Sequence, residues 1–380
     1  MKISLLQENL AKAVGIASRM VASKTQLPVL SNILLKTEKG KIKLAATNLE
    51  TGINLWLGAK IEKQGGITVP ARIFGELINS LPQDTVNMEV KEDKLKINCG
   101  SVKAVINGIG VEEFPKMPTM KNKKKEEFFE IDAEKLAKIV KQTAFAAGVD
   151  EGRPIFTGVK LEIKRKSARL AATDGYRLSI GKIKGISGVK KEKELVVPAK
   201  ALIEITKIMV DTGEGKATEK SEKIKVMVTD KGAQMIMAGK ETEIVTRLIE
   251  GEFPDFEKIV PASSVTQVEL DKESLLRGVR SAAIFAKDSA NIVKFKIEKD
   301  GLKIGANAPQ VGENEVGIEG KKTGDDGEIA FNCRYLLEML MAVDGERIIL
   351  ETGGALSPGV FRILGDEDFL HIIMPVRVQN

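Results

Sequence analysis

The four residues Leu-Ala-Ala-Thr stand at positions 44–47 and recur unchanged at positions 170–173. The same succession surrounds both copies: an amphipathic helix, short strands, the tripeptide Val-Pro-Ala (69–71 and 197–199), a second helix and further strands. Ala-Phe-Asn at 330–332 opens the second helix of a third, more diverged copy. The period of about 125 residues is the size of a domain and far exceeds the roughly 20–50 residues of solenoid repeats. The 380-residue chain is therefore predicted to contain three copies of one domain.

Each copy combines helical and strand periodicity. The first helix carries an apolar stripe rich in small residues, which favours close packing on a sheet. Period-two alternation then crosses the turns Lys39-Gly40, 164–166 and Asp300-Gly301. These patterns predict an α+β fold in which two helices pack on antiparallel sheets in every copy. The predicted domain boundaries are 1–121, 127–255 and 263–380, separated by a lysine-rich segment (120–125) and by Pro-Ala-Ser-Ser at 261–264.

The polar faces of the six predicted helices are mostly basic, and the net charge is +6. These basic residues are Lys12, Arg19, Arg72, Lys135, Lys138, Lys141, Lys200, Lys207, Arg277, Arg280 and Arg334. A solvated face explains any one helix, but six equivalent helices could together present one basic surface. Such a surface would hold a phosphate backbone without reading base sequence. Aromatic residues make up only 4% of the chain, which argues against a platform for stacking single-stranded bases.

Catalytic and metal-binding chemistry is hard to assemble from this composition. His371 is the only histidine, and Gly-Glu-Gly-Lys at 213–216 lacks the spacing of a phosphate-binding loop. Cys99 and Cys333 are far apart and are expected to be buried thiols in a reducing cytoplasm. The absence of an apolar run near 18 residues and of a charged leader predicts a soluble, unprocessed cytoplasmic protein. We predict no enzymatic activity, catalytic residue, metal or cofactor.

Four motifs make the sequence more specific. They are Leu-Pro-Val-Leu-Ser-Asn-Ile at 27–33, Ala-Thr-Asp-Gly-Tyr-Arg-Leu at 172–178, Gly-Glu-Phe-Pro-Asp-Phe at 251–256 and Met-Pro-Val-Arg-Val at 374–378. In order and spacing, over the whole of residues 1–380, the chain closely resembles the family of bacterial DNA polymerase III beta subunits, the replicative sliding clamps.

The resemblance implies three tandem clamp domains per copy and a head-to-tail homodimer that closes into a ring around double-stranded DNA. Such a ring tethers the polymerase at high effective concentration and so confers processivity without catalysis. The implied partners are a second copy, the DNA polymerase III catalytic subunit, the clamp loader and other proteins carrying clamp-binding motifs, with no membrane. The alternative is a non-ring, tandem-domain DNA-binding protein related to the clamp.

The family's partner site is a hydrophobic pocket that accepts short peptides. The residues carried over to it by motif are Arg153, Phe156, Thr173, Gly175, Tyr176, Arg177, Leu178, Pro254, Ile259, Ile372 and Met374. The first copy has Asn48-Leu49-Glu50 where the second has Asp174-Gly175-Tyr176, as expected if only the second copy forms the pocket.

The resemblance also implies DNA contacts and a dimer contact. The DNA contacts map to Lys24, Arg72, Arg153, Lys200 and Lys207, although the loop with Asp150 and Pro154 departs from the family pattern. The dimer contact pairs Ile284 and Phe285 with a first-domain edge strand that contains Ala104 and Ile106. Because Ala104 replaces a bulkier residue often found there, we expect a somewhat weaker ring interface.

Overall fold

A computed structural model describes residues 1–22, 25–120, 128–212, 223–229, 232–288, 290–310 and 312–377. Several residues singled out above lie outside these ranges: Lys24, the segment 121–125, the predicted domain limits at 121 and 127, the stretch 213–216, and the end of the last motif at Val378. Residue contacts divide the chain into two compact units. The first unit comprises Met1–Glu134 and Glu204–Leu248, and the second comprises Lys135–Ile203 and Ile249–Asn380.

The helices and strands follow one another in three similar series. The first series is β1 (Lys2–Leu6), α1 (Gln7–Ser18), β2 (Asn32–Glu38), β3 (Lys41–Thr47), β4 (Thr51–Gly58), β5 (Lys60–Lys63), β6 (Gly66–Pro70), α2 (Ala71–Ser80), β7 (Thr85–Lys91), β8 (Lys94–Cys99) and β9 (Val102–Asn107). The second is β10 (Phe128–Asp132), α3 (Ala133–Thr143), β11 (Gly158–Ile163), β12 (Ser167–Thr173), β13 (Arg177–Lys184), β14 (Lys193–Pro198), α4 (Ala199–Thr212), β15 (Lys223–Val228), β16 (Gln234–Ala238) and β17 (Thr242–Arg247). The third is β18 (Thr266–Asp271), α5 (Lys272–Ala286), β19 (Ile292–Glu298), β20 (Gly301–Ala308), β21 (Gly312–Gly324), β22 (Gly327–Asn332), α6 (Cys333–Ala342), β23 (Arg347–Thr352), β24 (Gly359–Ile363) and β25 (Asp366–Ile373).

The first unit contains two antiparallel sheets. One has five strands in the order β5-β1-β7-β8-β9, and the other has eight in the order β10-β15-β16-β17-β4-β3-β2-β6. The central pairing of the larger sheet joins β4 to β17, with Leu55 opposite Thr242. Helices α1 and α2 pack closely, and Cγ1 of Val14 lies 3.6 Å from the position a Cβ would take on Gly75.

The second unit contains a single sheet of twelve strands in the order β14-β11-β12-β13-β25-β24-β23-β18-β21-β20-β19-β22. Strand β13 pairs with β25, so that Gly181 faces Phe369 and Leu178 faces Ile372. Helices α5 and α6 pack on a large apolar core that contains Phe295, Phe331 and Phe361. Asp271 caps α5 by accepting a hydrogen bond from the Ser274 N–H at 2.8 Å.

The repeated Leu-Ala-Ala-Thr forms the end of β3 and of β12, and all eight of its residues are buried. Both strands lie inside their sheets, so burial of consecutive residues replaces the usual alternation. The predicted hairpin at Lys39-Gly40 is confirmed, because Glu38 pairs with Lys41. The third hairpin turn lies one residue earlier than predicted, since Glu298 pairs with Gly301. Gly301 is thus the first residue of β20 and not part of the turn. Glycine is needed there because the backbone of β21 comes close, and a Cβ would lie 2.2 Å from the Ile318 carbonyl oxygen.

Amphipathic helices on antiparallel sheets are thus present in every third of the chain, as the sequence patterns predict. Within the described ranges, no helix is both long enough and apolar enough to cross a membrane.

Candidate functional site

A tight turn joins β12 to β13 and is built by the side chains of Thr173 and Asp174. Thr173 Oγ1 donates to the Arg177 carbonyl at 2.6 Å and accepts from the Gly175 N–H at 3.0 Å. Asp174 Oδ1 accepts from the N–H groups of Tyr176 and Arg177 at 2.9 and 3.1 Å. Gly175 has φ +96°, a conformation that suits glycine because it has no Cβ. The turn is therefore fixed before any ligand arrives.

Arg177 is the most heavily engaged side chain of this turn, and it is only 7% exposed. Its guanidinium donates to Asp174 Oδ2 at 3.0 Å and to the Phe145 carbonyl at 3.0 Å, and it also contacts the Glu338 carboxylate. The guanidinium carbon lies 4.6 Å from the ring centre of Tyr335. Arg177 therefore ties the turn to α6, and its donors are used within the protein.

An apolar cluster lies below the turn. Leu178 and Ile372, which face each other across β13 and β25, are buried together with Phe256, Val360 and Ile180. Pro254 is half-buried and Ile259 is exposed, and both flank Phe256 in the chain. Tyr176 is 61% exposed and Met374 is 39% exposed, and the Met374 N–H donates to the Tyr176 carbonyl at 2.9 Å. The predicted residues thus comprise a buried apolar floor and an exposed apolar rim.

Arg153 and Phe156 lie beside the same turn. The Arg153 guanidinium is stacked 5.1 Å from the ring centre of Phe156 and is 3.9 Å from the position a Cβ would take on Gly175. Its Nε donates to Asp150 Oδ2 at 3.0 Å, and this bond lowers the pKa of the Asp150 carboxyl. Asp150 therefore holds Arg153 next to the turn.

The first repeat contains a turn with the same four hydrogen bonds between the side chains of Thr47 and Asn48 and the backbone. Thr47 Oγ1 donates to the Thr51 carbonyl at 2.7 Å, and Asn48 Oδ1 accepts from the N–H groups of Glu50 and Thr51 at 3.0 and 2.7 Å. Leu49 takes the place of Gly175 with φ +74°, a conformation that is costly for a leucine. The absence of glycine therefore does not change the shape of this turn.

What differs is the space beneath the first turn. Gly52 stands at the position equivalent to Leu178, and a Cβ on Gly52 would lie only 2.3 Å from Met117 Sδ. The Met117 thioether fills this space and also packs on the apolar cluster of Val29, Leu30 and Phe114. Sequence reasoning missed Met117. Alignment of Phe-Pro at 114–115 with Phe-Pro at 253–254 makes Met117 the equivalent of Phe256, and this could have indicated that Met117 is an apolar residue of the first repeat's cluster.

Basic side chains occupy the exposed faces of the helices. Arg72 on α2 is exposed and its Nε donates to Glu76 Oε1 at 3.0 Å. Lys200 and Lys207 lie seven residues apart on α4 and are both exposed. The remaining exposed basic residues of the helices are Lys12, Lys135, Lys138, Lys141, Arg277, Arg280 and Arg334. Some have acidic neighbours, for example Lys141 with Asp344 at 2.9 Å, so the basic face is partly neutralised.

The residues predicted for a dimer contact lie on a sheet edge and a helix. Ala104 is half-buried and Ile106 is buried on β9, which pairs only with β8 within the described part of the chain. Ile284 on α5 is 64% exposed, whereas Phe285 packs partly on the core of the second unit. Of these four residues, Ile284 is therefore exposed, Ala104 and Phe285 are partly exposed, and Ile106 is buried within its own unit.

The single histidine is part of the core. His371 is fully buried, and its Nδ1 lies 2.6 Å from Ser179 Oγ across the β13–β25 pairing. Burial lowers the pKa of His371 to about 3, so the imidazole is neutral at physiological pH. Cys99 and Cys333 are buried free thiols, and burial raises the pKa of both. No group of three or more potential metal-ligating side chains occurs among the residues that the structure describes.

Comparison with known proteins covers the whole chain. The three domain models of the DNA polymerase III beta subunit match in order: the N-terminal domain at residues 1–118, the central domain at 130–255 and the C-terminal domain at 257–377. A beta sliding clamp from Synechococcus elongatus is 28% identical over 386 residues, with 100% of both chains covered.

Solved structures show the same relationship. The DNA polymerase III beta subunit of Thermotoga maritima matches with a TM-score of 0.89 and 26% sequence identity. A sliding clamp of Pseudomonas aeruginosa bound to griselimycin matches with a TM-score of 0.90 and 25% sequence identity. In each comparison both chains are covered completely. The predicted resemblance and the fold of three clamp domains are confirmed, and the non-ring alternative is not favoured. The chain belongs to the family of bacterial DNA polymerase III beta subunits, the beta sliding clamps.

Proposed function

We propose that two copies of this chain close head to tail into a ring around duplex DNA. The ring would tether the DNA polymerase III catalytic subunit through the site at the 173–177 turn. The clamp loader and other proteins with clamp-binding motifs would use the same site in turn. The protein would act in the cytoplasm, without catalysis of its own and without a cofactor.

The observation that carries the DNA-binding part is the exposure of basic side chains on all six helices. Lysines at 200 and 207 are two helical turns apart, so both lie on one face of α4. Their ammonium groups can neutralise phosphates by displacing counterions, and such contacts carry no base specificity. Weak, salt-screened contacts suit a ring that is retained by topology and must move along the duplex.

Ring closure is supported by complementary strand edges. Strand β9 carries the exposed Lys103, and one of its edges is unpaired among the residues that the structure describes. In β21, residues 320–324 pair with β18, whereas residues 312–319 pair only with β20 within the described chain. That free edge carries the exposed Glu313 and Glu315. Pairing β9 of one copy with β21 of another would satisfy both edges and bring opposite charges together.

The peptide-binding part is supported by the surface around the 173–177 turn. Tyr176, Ile259 and Met374 expose apolar atoms above a buried floor that includes Leu178. Because the turn and Arg177 are already fixed by internal hydrogen bonds, a peptide loses little affinity to ordering the protein. A leucine or phenylalanine anchor would supply most of the binding energy.

Retention on circular and on linearised plasmid DNA, after loading by the cognate clamp loader with ATP, tests the proposal. We expect the protein to stay on circles and to leave linear DNA through its ends. Equal loss from both would establish ordinary electrostatic binding and refute encirclement.

Charge reversal separates the DNA face from the peptide site. Lys200→Glu with Lys207→Glu is expected to reduce retention on circles and to leave peptide binding unchanged. Lys164→Glu with Lys299→Glu places the same charge change on exposed hairpin loops and serves as the matched control. A loss of peptide binding in the α4 variant would mean that the channel face is misplaced.

A further inference from the structure

A network of charged side chains lies on the face of β11 and β12 that also carries the apolar cluster below the 173–177 turn. Arg169 stands two residues before Ala171, a buried member of that cluster, so both side chains lie on one face of β12. Glu162 is opposite Arg169 across the β11–β12 pairing. Arg169 Nε and Nη2 both lie 2.8 Å from Glu162 Oε2, and Lys160 Nζ lies 3.0 Å from Oε1 of the same carboxylate. The Glu162 side chain is only 10% exposed, so these charge-assisted contacts are largely withdrawn from solvent.

The segment 254–259 packs on the same face of the sheet, and we call it the 254–259 wall. It carries Pro254 and Ile259, two of the residues predicted for the peptide pocket. Phe256 lies between them in the chain and is buried in the apolar cluster. The ring of Phe256 therefore anchors the wall to the sheet.

Cations of the network hold Phe256 and its neighbour in the chain. The guanidinium carbon of Arg169 lies 5.0 Å from the centre of the Phe256 ring, and Lys160 Nζ lies 5.7 Å from it. Both distances are those of a cation attracted to an aromatic ring. Arg169 also contacts the carboxylate of Glu257. Arg169 therefore joins the buried Glu162 to two consecutive residues of the wall.

The equivalent strand positions of the other two repeats each carry two lysines. Counted from the hairpin turns, the pairs are Lys36 with Lys43 in the first repeat and Lys296 with Lys303 in the third. Like charges directly opposite each other on a sheet repel, so neither pair can form the ion pair of the second repeat. The acidic member is thus found in the repeat that carries the 173–177 turn with its exposed apolar rim. This distribution favours a role in that site over a general role in the fold.

We propose that Arg169 is a positioning residue of the peptide site. It fixes the 254–259 wall through Phe256 and Glu257, so that the two pocket residues of the wall are already placed when the anchor of a peptide arrives. Such preorganisation raises affinity, because less of the binding free energy is lost to ordering the wall. This role rests on the peptide binding proposed above, and it adds a residue outside the pocket to those that set the affinity for partners.

Surface plasmon resonance with the cognate DNA polymerase III catalytic subunit tests this role on the full-length protein. We expect Arg169→Gln to weaken binding about three- to tenfold, since it removes a cation–π contact and the ion pairs with Glu162 and Glu257. Glu257→Gln breaks only the ion pair to the wall, at an exposed position where folding is tolerant, and should weaken binding about twofold. Arg347→Gln is the matched control, because Arg347 pairs with Glu269 on β23 and β18 of the same sheet, and its affinity should be unchanged.

A double-mutant cycle separates positioning from a general loss of stability. Ile259→Ala truncates the last side chain of the wall, whereas Met374→Ala truncates a side chain just beyond β25 and outside the wall. Arg169→Gln is expected to weaken binding by at most about twofold in the Ile259→Ala background, because the group that it positions is gone. In the Met374→Ala background it should keep its full effect.

The outcomes distinguish the role of Arg169 from the peptide site itself. Failure of the unmodified protein to bind the polymerase subunit would refute the proposed peptide site, and this role with it. Binding by the unmodified protein together with unchanged affinity of Arg169→Gln would overturn the positioning role alone. An equal loss in both backgrounds would overturn it too, because it would assign Arg169 to the stability of the sheet.

Discussion

Replacement of Arg177 by alanine should destabilise the second unit strongly, because this side chain is buried and all its polar contacts are internal. The variant loses hydrogen bonds to Asp174 and to the Phe145 carbonyl, and the contact with Glu338. Removing one partner of a buried ion pair costs about 3–5 kcal/mol, since the remaining charge stays desolvated. Glu338 is 38% exposed and can recover some hydration, which places the expected loss near the lower limit, at about 3 kcal/mol.

Thermal unfolding followed by circular dichroism measures this loss. For a unit of this size, about 3 kcal/mol corresponds to a fall in melting temperature of roughly 6–12 °C. Arg153→Ala is the matched control, because Arg153 and its ion-pair partner Asp150 are both exposed and such pairs contribute little to stability. Arg177→Lys keeps the charge without the planar fork and should fall between the two. A shift for Arg177→Ala no larger than that of Arg153→Ala would refute the reasoning.

Three further predictions concern DNA, self-association and pH. We expect Lys200→Glu with Lys207→Glu to make the fall of log affinity for duplex DNA with log salt concentration shallower by about two. Binding measured at several salt concentrations gives this slope. An unchanged slope would exclude phosphate contacts at both positions. Ala104→Leu should tighten the dimer in analytical ultracentrifugation, and a wild-type ring without detectable monomer at nanomolar concentration would contradict the weak interface we expect. Burial lowers the pKa of His371 from 6.5 to about 3, so on acidification the unfolded state binds this proton first. The contribution of His371 to stability is therefore complete above pH 6.5 and falls by about 1.4 kcal/mol per pH unit below it. Urea unfolding between pH 4 and 7 should show a smaller slope of stability against pH in His371→Asn.

The hydrophobic periodicity of the sequence is sufficient to predict the helices and strands, and the recurring motifs are sufficient to predict the repeat. Leu-Ala-Ala-Thr marks equivalent strands because both copies are buried on two faces, where only small or apolar residues fit. The helix stripes were equally informative, since their period directly reflects the buried face. The exact domain limits stay predictions, because the described ranges leave out residues 121–127 and the contact units follow other lines.

The candidate site was less accessible to sequence reasoning, because it depends on which side chain fills a space. The difference between Asn48-Leu49-Glu50 and Asp174-Gly175-Tyr176 predicts that only the second copy forms a pocket, but it does not predict that both turns have equivalent hydrogen bonds from backbone N–H groups to the Asn48 and Asp174 side chains. The difference arises from Met117 over Gly52, a contact between residues far apart in the chain. Likewise, Arg177 was expected to line a pocket, and only the positions of Glu338 and Tyr335 show how its donors are used. Residues predicted for the pocket, the DNA face and the dimer contact remain predictions about function.

The pairing of β13 with β25 has a consequence for how the protein is made. Ser179 and His371 meet across 192 residues of chain, so this edge of β13 has no partner until β25 has been synthesised. At roughly 5–20 residues per second, that wait lasts about 10–40 s. During this time the nascent chain carries an open strand edge of the kind that recruits other chains into aggregates. Nascent chains halted shortly before β25 therefore keep this edge of β13 open, and a chaperone that shields strand edges would protect them at that stage.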